Sequence, residues 1–168
     1  MRILTVRQPW AWAIIHGGKD IENRVRNVAG EYRGPVAIHG GLRDDENAST
    51  GLFYERAKLF WDRGHMYPGK LPKVEQGRGA IIGVVDLIGV HVVKRSQAGT
   101  NVCFDSTTPT GKLCSPWANA YDEFPAYRGH HLVLANPRAL AEPIPYKGAL
   151  GLRRLDDEMV ARIEAAIA

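Results

Sequence analysis

Residues 80–93 form the longest run of strand-forming side chains, and this run constrains the fold more than any other segment. Isoleucine and valine dominate it, and β-branched residues favour an extended backbone. Gly83 and Gly89 interrupt the run, and glycines in a strand permit the bends or bulges with which a strand curls around a barrel. The segment therefore predicts a long, bent strand in a barrel-like sheet.

Shorter segments predict the other elements. Further strands are expected at residues 3–6, 34–39 and 131–135, with short extended pieces near residues 144 and 150–152. Helices are expected at residues 10–15, after Pro9, at residues 49–63, and at residues 155–167, where Asp156 can cap the first turn. Strands that alternate irregularly with three helices, without a glycine-rich nucleotide loop, indicate an α+β fold around a small, mostly antiparallel β-barrel.

The length of 168 residues predicts a single domain that spans residues 1–168. Residues 94–130 form a long stretch punctuated by Ser, Thr, Gly and Pro, which predicts an irregular loop insertion. A loop of this length inside a compact domain is either functional or disordered.

A lysine, a glutamate and an arginine follow the first predicted helix closely, in the pattern G-x-K-x-x-E-x-R. Gly17 and Gly18 end the helix, so Lys19 is expected in a turn and a strand is expected from about residue 20. In a strand, Glu22 and Arg24 project to the same side. Two interpretations remain open for the three charged groups: a ligand-binding cleft, or a buried ionic network that fixes the helix–strand junction.

The formal net charge is +4, and the whole excess lies in residues 1–43. A basic zone of this kind is suited to phosphate, although ordinary scatter of charges explains a surplus of four almost as well. No run of 18 apolar residues is present, so no membrane partner is expected. The first residues lack a signal-peptide pattern, which predicts a cytoplasmic location.

The cysteines and histidines show no pattern that is typical of a metal site. Cys103 and Cys114 lie eleven positions apart in the polar loop, without metal-ligand spacing or a nearby histidine, and reversible pairing is the minor alternative. His130 and His131 are adjacent on an extended segment and face opposite ways. His39 is expected to be a satisfied structural histidine rather than a ligand contact. No metal and no cofactor are predicted.

Asp86 and Trp117 are further candidates for a site. Asp86 interrupts an apolar stripe of the long strand, so it needs Lys19 or Arg24 as a partner if it is buried, whereas a shift in register would turn it outward. Trp117 lies in the long loop, where it is a better candidate for stacking on a base than Trp10, which is expected in the core.

Several of these segments together resemble the ASCH (activating signal cointegrator homology) domain family. The resemblance is carried by Gln8-Pro9-Trp10, by the G-x-K-x-x-E-x-R pattern, and by residues 35–39, 79–86, 136–137 and 148–152. It covers most of the chain and leaves residues 94–130 poorly matched. It implies a PUA-like β-barrel with about three flanking helices, similar to the PUA domains of RNA-modifying proteins.

The resemblance also implies a choice of functions. Most members of the family are inferred to bind RNA or a nucleobase beside the barrel. One subgroup resembles amidohydrolases that act on N4-acetylcytidine with a lysine, a threonine three positions later and a further glutamate. Lys19 matches that lysine, Glu22 stands at the threonine position, and Asp122 or Glu123 are candidates for the glutamate. The family is also associated with RNA cleavage.

We therefore expect a protein that binds RNA, single-stranded nucleic acid, or a free nucleoside or nucleotide through Lys19, Glu22 and Arg24. Further candidate ligand-binding residues are Gln8, Trp10, His39, Asp86 and Trp117. The alternatives are an amidohydrolase acting on N4-acetylcytidine-type nucleosides, with Lys19 and Glu22 as the catalytic residues, or a ribonuclease. A protein–protein adaptor without nucleic-acid chemistry is a third class.

Overall fold

The computed structural model describes residues 1–45, 77–95, 100–105, 108–109, 111–119 and 129–167. The strands are β1 (Arg2–Gln8), β2 (Ile21–Arg24), β3 (Gly34–Asp44), β4 (Ala80–Arg95), β5 (Asn101–Asp105), β6 (Thr108–Pro109), β7 (His130–Pro145) and β8 (Leu152–Arg154). The helices are α1 (Trp10–His16) and α2 (Asp157–Ala166). The helix predicted at residues 49–63 lies outside the described residues. Both described helices fall short of the length that a membrane span requires.

The strands form one mixed sheet. Its hydrogen-bonded order is β2-β7-β4-β3-β1-β8, with β5 beside β4 and β6 beside β5. β1 and β3 run parallel, whereas β8 pairs with β1, β2 with β7, and β5 with β4 in the antiparallel sense. The predicted α+β class with mostly antiparallel strands is confirmed.

The predicted barrel closure is wrong, because the sheet formed by the described strands is open. The strand order ends in two short elements, β2 with four residues and β8 with three.

The described residues fall into two compact units. The first unit contains Met1–Lys19, Pro35–Asp86 and Asn136–Ala168, and the second contains Asp20–Gly34 and Leu87–Ala135. The prediction of a single domain stays a prediction.

The first unit is built on an aliphatic core between its strands and α2. The buried members of the core are Ile3, Ala37, Ile81, Val84, Leu140, Ile144, Leu155 and Ile163. Asp156 caps α2 as predicted, because its Oδ1 accepts a hydrogen bond of 2.7 Å from the Met159 amide. Of the residues in α2, Ile163 is the buried one.

The junction after α1 has the predicted form. Residues 11–15 are buried, and the helix ends at His16. The amides of Gly17 and Lys19 both donate to the Ala13 carbonyl oxygen, at 2.9 and 3.0 Å, and Gly18 has a φ of 70°. Glycine adopts this left-handed conformation without steric cost, so the chain turns here and β2 begins two residues after Lys19.

In the second unit, β5 is hydrogen-bonded both to β4 and to residues 111–119. β5 pairs with β4 so that Cys103 lies opposite Val93. The Cys103 amide also donates to the Lys112 carbonyl oxygen at 3.1 Å. The described part of the predicted irregular loop, residues 94–130, therefore contains the strands β5 and β6.

Gly83 lies where other backbone and side-chain atoms come very close to β4. A Cβ atom at this position would lie 2.6 Å from the Arg138 carbonyl oxygen and 2.7 Å from Ile15 Cδ1. Both distances are shorter than any normal contact of a carbon atom. The missing side chain therefore lets α1 and β7 approach β4 closely in the first unit.

Candidate ligand-binding residues

Lys19 is a buried lysine that lies beside an aromatic ring. Its residue is 4% exposed, and its Nζ lies 5.8 Å from the centroid of the Trp10 ring. This distance falls within the range of a cation–π attraction. Trp10 is half-buried, and its Nε1 donates a hydrogen bond of 2.7 Å to Asp45 Oδ2, which fixes the ring. The structure thus brings together two of the residues that the sequence singled out.

Gln8 ends β1 and is 1% exposed. Its Oε1 accepts a hydrogen bond of 3.1 Å from the Trp12 amide, which ties the side chain to the start of α1. Its Nε2 is buried and has no hydrogen-bond partner among the described residues. A buried amide donor without a partner costs free energy, and an acceptor oxygen of a ligand would satisfy it.

Glu22 and Arg24 lie on the same side of β2, as the strand interpretation predicted. Arg24 Nε lies 3.1 Å from Glu22 Oε1, and the two side chains are 26% and 10% exposed, respectively. Ile21, the neighbour on the opposite side, is fully buried. In the second unit, the Arg24 guanidinium is therefore partly exposed, while the Glu22 carboxylate beside it is largely shielded from water.

His39 is a buried histidine of β3. Its Nε2 lies 2.9 Å from the Tyr146 carbonyl oxygen, and a carbonyl only accepts, so this nitrogen carries the proton. Burial lowers the pKa of His39, while hydrogen bonds to the backbone of Tyr146 and Gly79 act in the opposite direction. A Cβ atom at Gly148 would lie 2.9 Å from His39 Cε1, so that glycine lets the backbone cover the ring.

Asp86 takes partners other than the predicted ones, so the expected pairing with Lys19 or Arg24 is wrong. Its carboxylate accepts from Arg138 at 2.6 Å and from Asn136 Nδ2 at 2.9 Å. The side chain is 26% exposed, which matches the outward alternative. These hydrogen bonds, that of Arg138 first, lower the pKa of Asp86 below its ordinary value of 3.8.

The Asp86–Arg138 pair predicts a pH-dependent stability. Because the folded pKa lies below the unfolded value, the pair stabilises the fold above about pH 4 and its contribution is lost as the pH falls through the folded pKa. Asp86→Asn should lower the free energy of unfolding by about 0.5–1 kcal/mol at pH 7. In urea melts from pH 7 to pH 2.5, the difference from the wild type should shrink below pH 4.

Asp157→Asn is the control, since Asp157 is 96% exposed and lies 3.9 Å from Arg154. It should leave the stability unchanged across the same range. An Asp86→Asn difference that is constant down to the lowest pH would contradict the prediction.

Trp117 is buried, at 4% exposure, within the second unit. Its amide donates to Ser115 Oγ at 3.0 Å, and its carbonyl oxygen accepts from Asn23 Nδ2 at 3.0 Å. Asn23 Oδ1 accepts in turn from the Asn119 amide at 2.9 Å. A base would stack on the Trp117 ring only if the ring left this buried position.

Cys103, Cys114 and His131 form a cluster that the sequence did not reveal. The two Sγ atoms lie 3.2 Å apart, and each lies 3.3 Å from His131 Nδ1. The hydrogen bond with the Cys114 thiol lowers the pKa of Cys103, assisted by those with His131 and the Cys114 amide and opposed by burial. The expectation that no histidine lies near the cysteines is wrong.

Two crystal structures are similar to this chain over nearly its whole length. An ASCH protein from Zymomonas mobilis matches with a TM-score of 0.53 and 11% identity, covering 99% of this chain and 95% of that one. A mutant of the Zymomonas mobilis protein matches with a TM-score of 0.52 and 12% identity, covering 99% and 98%. The chain has an ASCH fold. No protein-family model matches the sequence.

The ASCH fold confirms the resemblance that the motif residues predicted, at the level of the fold. In this ASCH-fold protein the motif lies at one junction of the chain. Lys19 ends the first unit in the turn after α1, and Glu22 and Arg24 lie on β2 at the start of the second.

No local signal in the sequence could have revealed the cysteine–histidine cluster. Cys103 and Cys114 are 11 positions apart, and His131 follows after another 17. Neither spacing belongs to a familiar metal-binding pattern. The cluster arises because β5, residues 111–119 and β7 meet within the second unit of the ASCH fold.

Proposed function

We propose that this ASCH-fold protein binds a nucleobase or nucleotide, within RNA or free, and that Lys19 is the main ligand-binding group. The observation that carries the proposal is the burial of Lys19 against the Trp10 ring. In a site shielded from water, a hydrogen bond from an ammonium to an anionic or carbonyl oxygen of a ligand is stronger than the same bond in water. The indole ring adds an aromatic surface next to that charge.

Glu22 and Arg24 would supply specificity in this proposal. A carboxylate accepts from an exocyclic amine, as Asp and Glu do from cytosine N4. A guanidinium donates to phosphate or to a ring carbonyl in a fork geometry. The basic excess in residues 1–43 favours a ligand that carries phosphate.

Lys19→Met tests the proposal by removing the charge while keeping most of the side-chain volume. Truncation of a buried, charged hydrogen-bonding group costs about 2–5 kcal/mol in binding, so the affinity for labelled single-stranded RNA or for nucleotides should fall about 30-fold or more. Fluorescence anisotropy at two salt concentrations measures the affinity and its salt dependence. Lys147→Met is the matched control, because Lys147 is an exposed lysine of the same unit.

Arg24→Gln is a second variant, since Arg24 is partly exposed and its loss disturbs the fold less than the loss of a buried lysine. It should weaken binding and flatten the salt dependence. Wild-type protein that binds neither RNA nor nucleotides would favour the adaptor class. Folded Lys19→Met that binds like the wild type would contradict the role of Lys19.

The same burial favours a second candidate, an amidohydrolase that acts on N4-acetylcytidine-type nucleosides. A shielded amine with an adjacent aromatic surface is suited to an acyl substrate. Hydrolysis would cleave the amide with water and release cytidine and acetate. Chromatography of N4-acetylcytidine incubated with the protein tests this, and the product should vanish in Lys19→Met and Glu22→Gln. Shortening of the RNA in the binding assay would indicate the ribonuclease alternative.

A further inference from the structure

We propose that Cys103 Sγ, Cys114 Sγ and His131 Nδ1 bind a soft divalent metal ion, with Zn²⁺ as the preferred ion. The three donor atoms all lie within 4.8 Å of one another. They come from three separate segments of the second unit: β5, residues 111–119 and β7. Cys103 and His131 are fully buried, and Cys114 is half-buried.

The distances fit a tetrahedral ion after a small expansion. Zn–S bonds of about 2.3 Å and Zn–N bonds of about 2.0–2.1 Å place tetrahedral ligands about 3.8 Å apart for two sulfurs and about 3.6 Å apart for sulfur and nitrogen. The observed separations are 3.2 Å and 3.3 Å. The two sulfurs therefore have to separate by about 0.6 Å, and each sulfur and the nitrogen by about 0.3 Å.

The backbone around Cys103 favours the thiolate form that a metal requires. The Cys114 amide donates to Cys103 Sγ at 3.2 Å. The Cys103 amide donates to the Lys112 carbonyl oxygen, which holds residues 111–119 against β5. Hydrogen bonds from amides to sulfur stabilise negative charge on the sulfur, and metals bind the thiolate rather than the thiol.

Residues 111–119 are also anchored at a second point. Ser115 Oγ donates to Asp20 Oδ1 at 2.5 Å, and the Asn23 side chain bonds the backbone of Trp117 and Asn119. The position of Cys114 is thus fixed on one side by the backbone of β5 and on the other by the contacts of Ser115, Trp117 and Asn119. Such preorganisation lowers the free-energy cost of gathering the ligands.

The donor set selects the class of ion. Two thiolates and one imidazole suit Zn²⁺ and similar soft ions, whereas Mg²⁺ and Ca²⁺ require oxygen ligands. Two thiolates also neutralise a divalent cation, so the loaded site buries no net charge. Three protein ligands leave the fourth tetrahedral position to water or another small ligand, and the half-buried Cys114 marks the more open side of the cluster.

The test uses the full, untagged chain, reduced and stripped with a chelator, and then titrated with CoCl₂ and ZnCl₂. Co²⁺ should bind one equivalent per chain, with the visible bands of a tetrahedral ion and thiolate charge-transfer bands in the near ultraviolet. ZnCl₂ should displace it and raise the Tm. Cys114→Ser should weaken Zn²⁺ binding by at least about 100-fold, because even the loss of an indirect supporting residue costs about 10–100-fold.

His131→Gln should abolish the thiolate–Co²⁺ spectrum, while His130→Gln, at the adjacent half-buried position, should keep it. Because His131 is fully buried, Cys114→Ser keeps the test decisive if His131→Gln fails to fold. Two results would overturn the proposal: a folded wild-type chain that takes up neither ion, or reduced thiols that form a disulfide on mild oxidation without any metal uptake before it.

Discussion

Ile163→Ala should lower the free energy of unfolding by about 2–5 kcal/mol, the range measured when a large aliphatic side chain is removed from a core. Ile163 is fully buried and is the buried residue that α2 contributes to the aliphatic core of the first unit. Its truncation removes apolar contact and leaves a cavity in that core. Urea melts followed by circular dichroism measure the effect.

Two variants of the same helix calibrate the result. Ile163→Val removes one methylene group and should cost about 0.5–1.5 kcal/mol. Glu164→Ala changes an exposed neighbour and should stay within about 0.5 kcal/mol of the wild type. Equal stability of Ile163→Ala and Glu164→Ala would mean that α2 does not pack on the sheet in solution.

Gly83→Ala should destabilise the protein by about 3 kcal/mol, because a single added methyl group has no room. The new Cβ would lie 2.6 Å from the Arg138 carbonyl oxygen and 2.7 Å from Ile15 Cδ1. Insertion of a methyl group into a packed interior costs about 1–3 kcal/mol or more, and here one neighbour is backbone that cannot rotate away. In a chain of this size the Tm should fall by about 6–12 °C, as measured by calorimetry.

Gly89→Ala is the matched control on the same strand. A Cβ atom there would lie 3.5 Å from Val133 Cγ2, which is an ordinary van der Waals contact. Glycine in a strand is less favourable than alanine by about 0.5–1 kcal/mol, so this variant should be neutral or slightly more stable than the wild type. If both variants lost the same amount of stability, β4 would need its glycines for their backbone conformation. The close approach of neighbouring atoms to Gly83 would then not be the cause.

The comparison of Gly83 with Gly89 shows where sequence-based prediction of the fold reaches its limit. Alternation and β-branched residues predicted β4 correctly, because these preferences are local. The purpose of each glycine was not predictable, since it depends on which atoms of α1 and β7 pass nearby. The closed barrel was predicted wrongly for a related reason, because the pairing of edge strands joins segments that are distant in sequence.

The helix–strand junction at Gly17 and Gly18 was predicted in detail. The helix end, the turn at Lys19 and the common side of Glu22 and Arg24 all follow from short-range backbone preferences. The partners of Asp86 were missed, because Asn136 and Arg138 lie 50 and 52 positions away in sequence and approach it only in the folded sheet.

The sequence alone determined the local conformations, the apolar faces and the ASCH-like motif. Each of these depends on residues that are only a few positions apart. The tertiary structure decided which distant groups meet. It buried Trp117, paired Asp86 with Arg138, and gathered two thiols and an imidazole from β5, residues 111–119 and β7. Strand pairing joins segments across long loops, and no local preference records which segments those are.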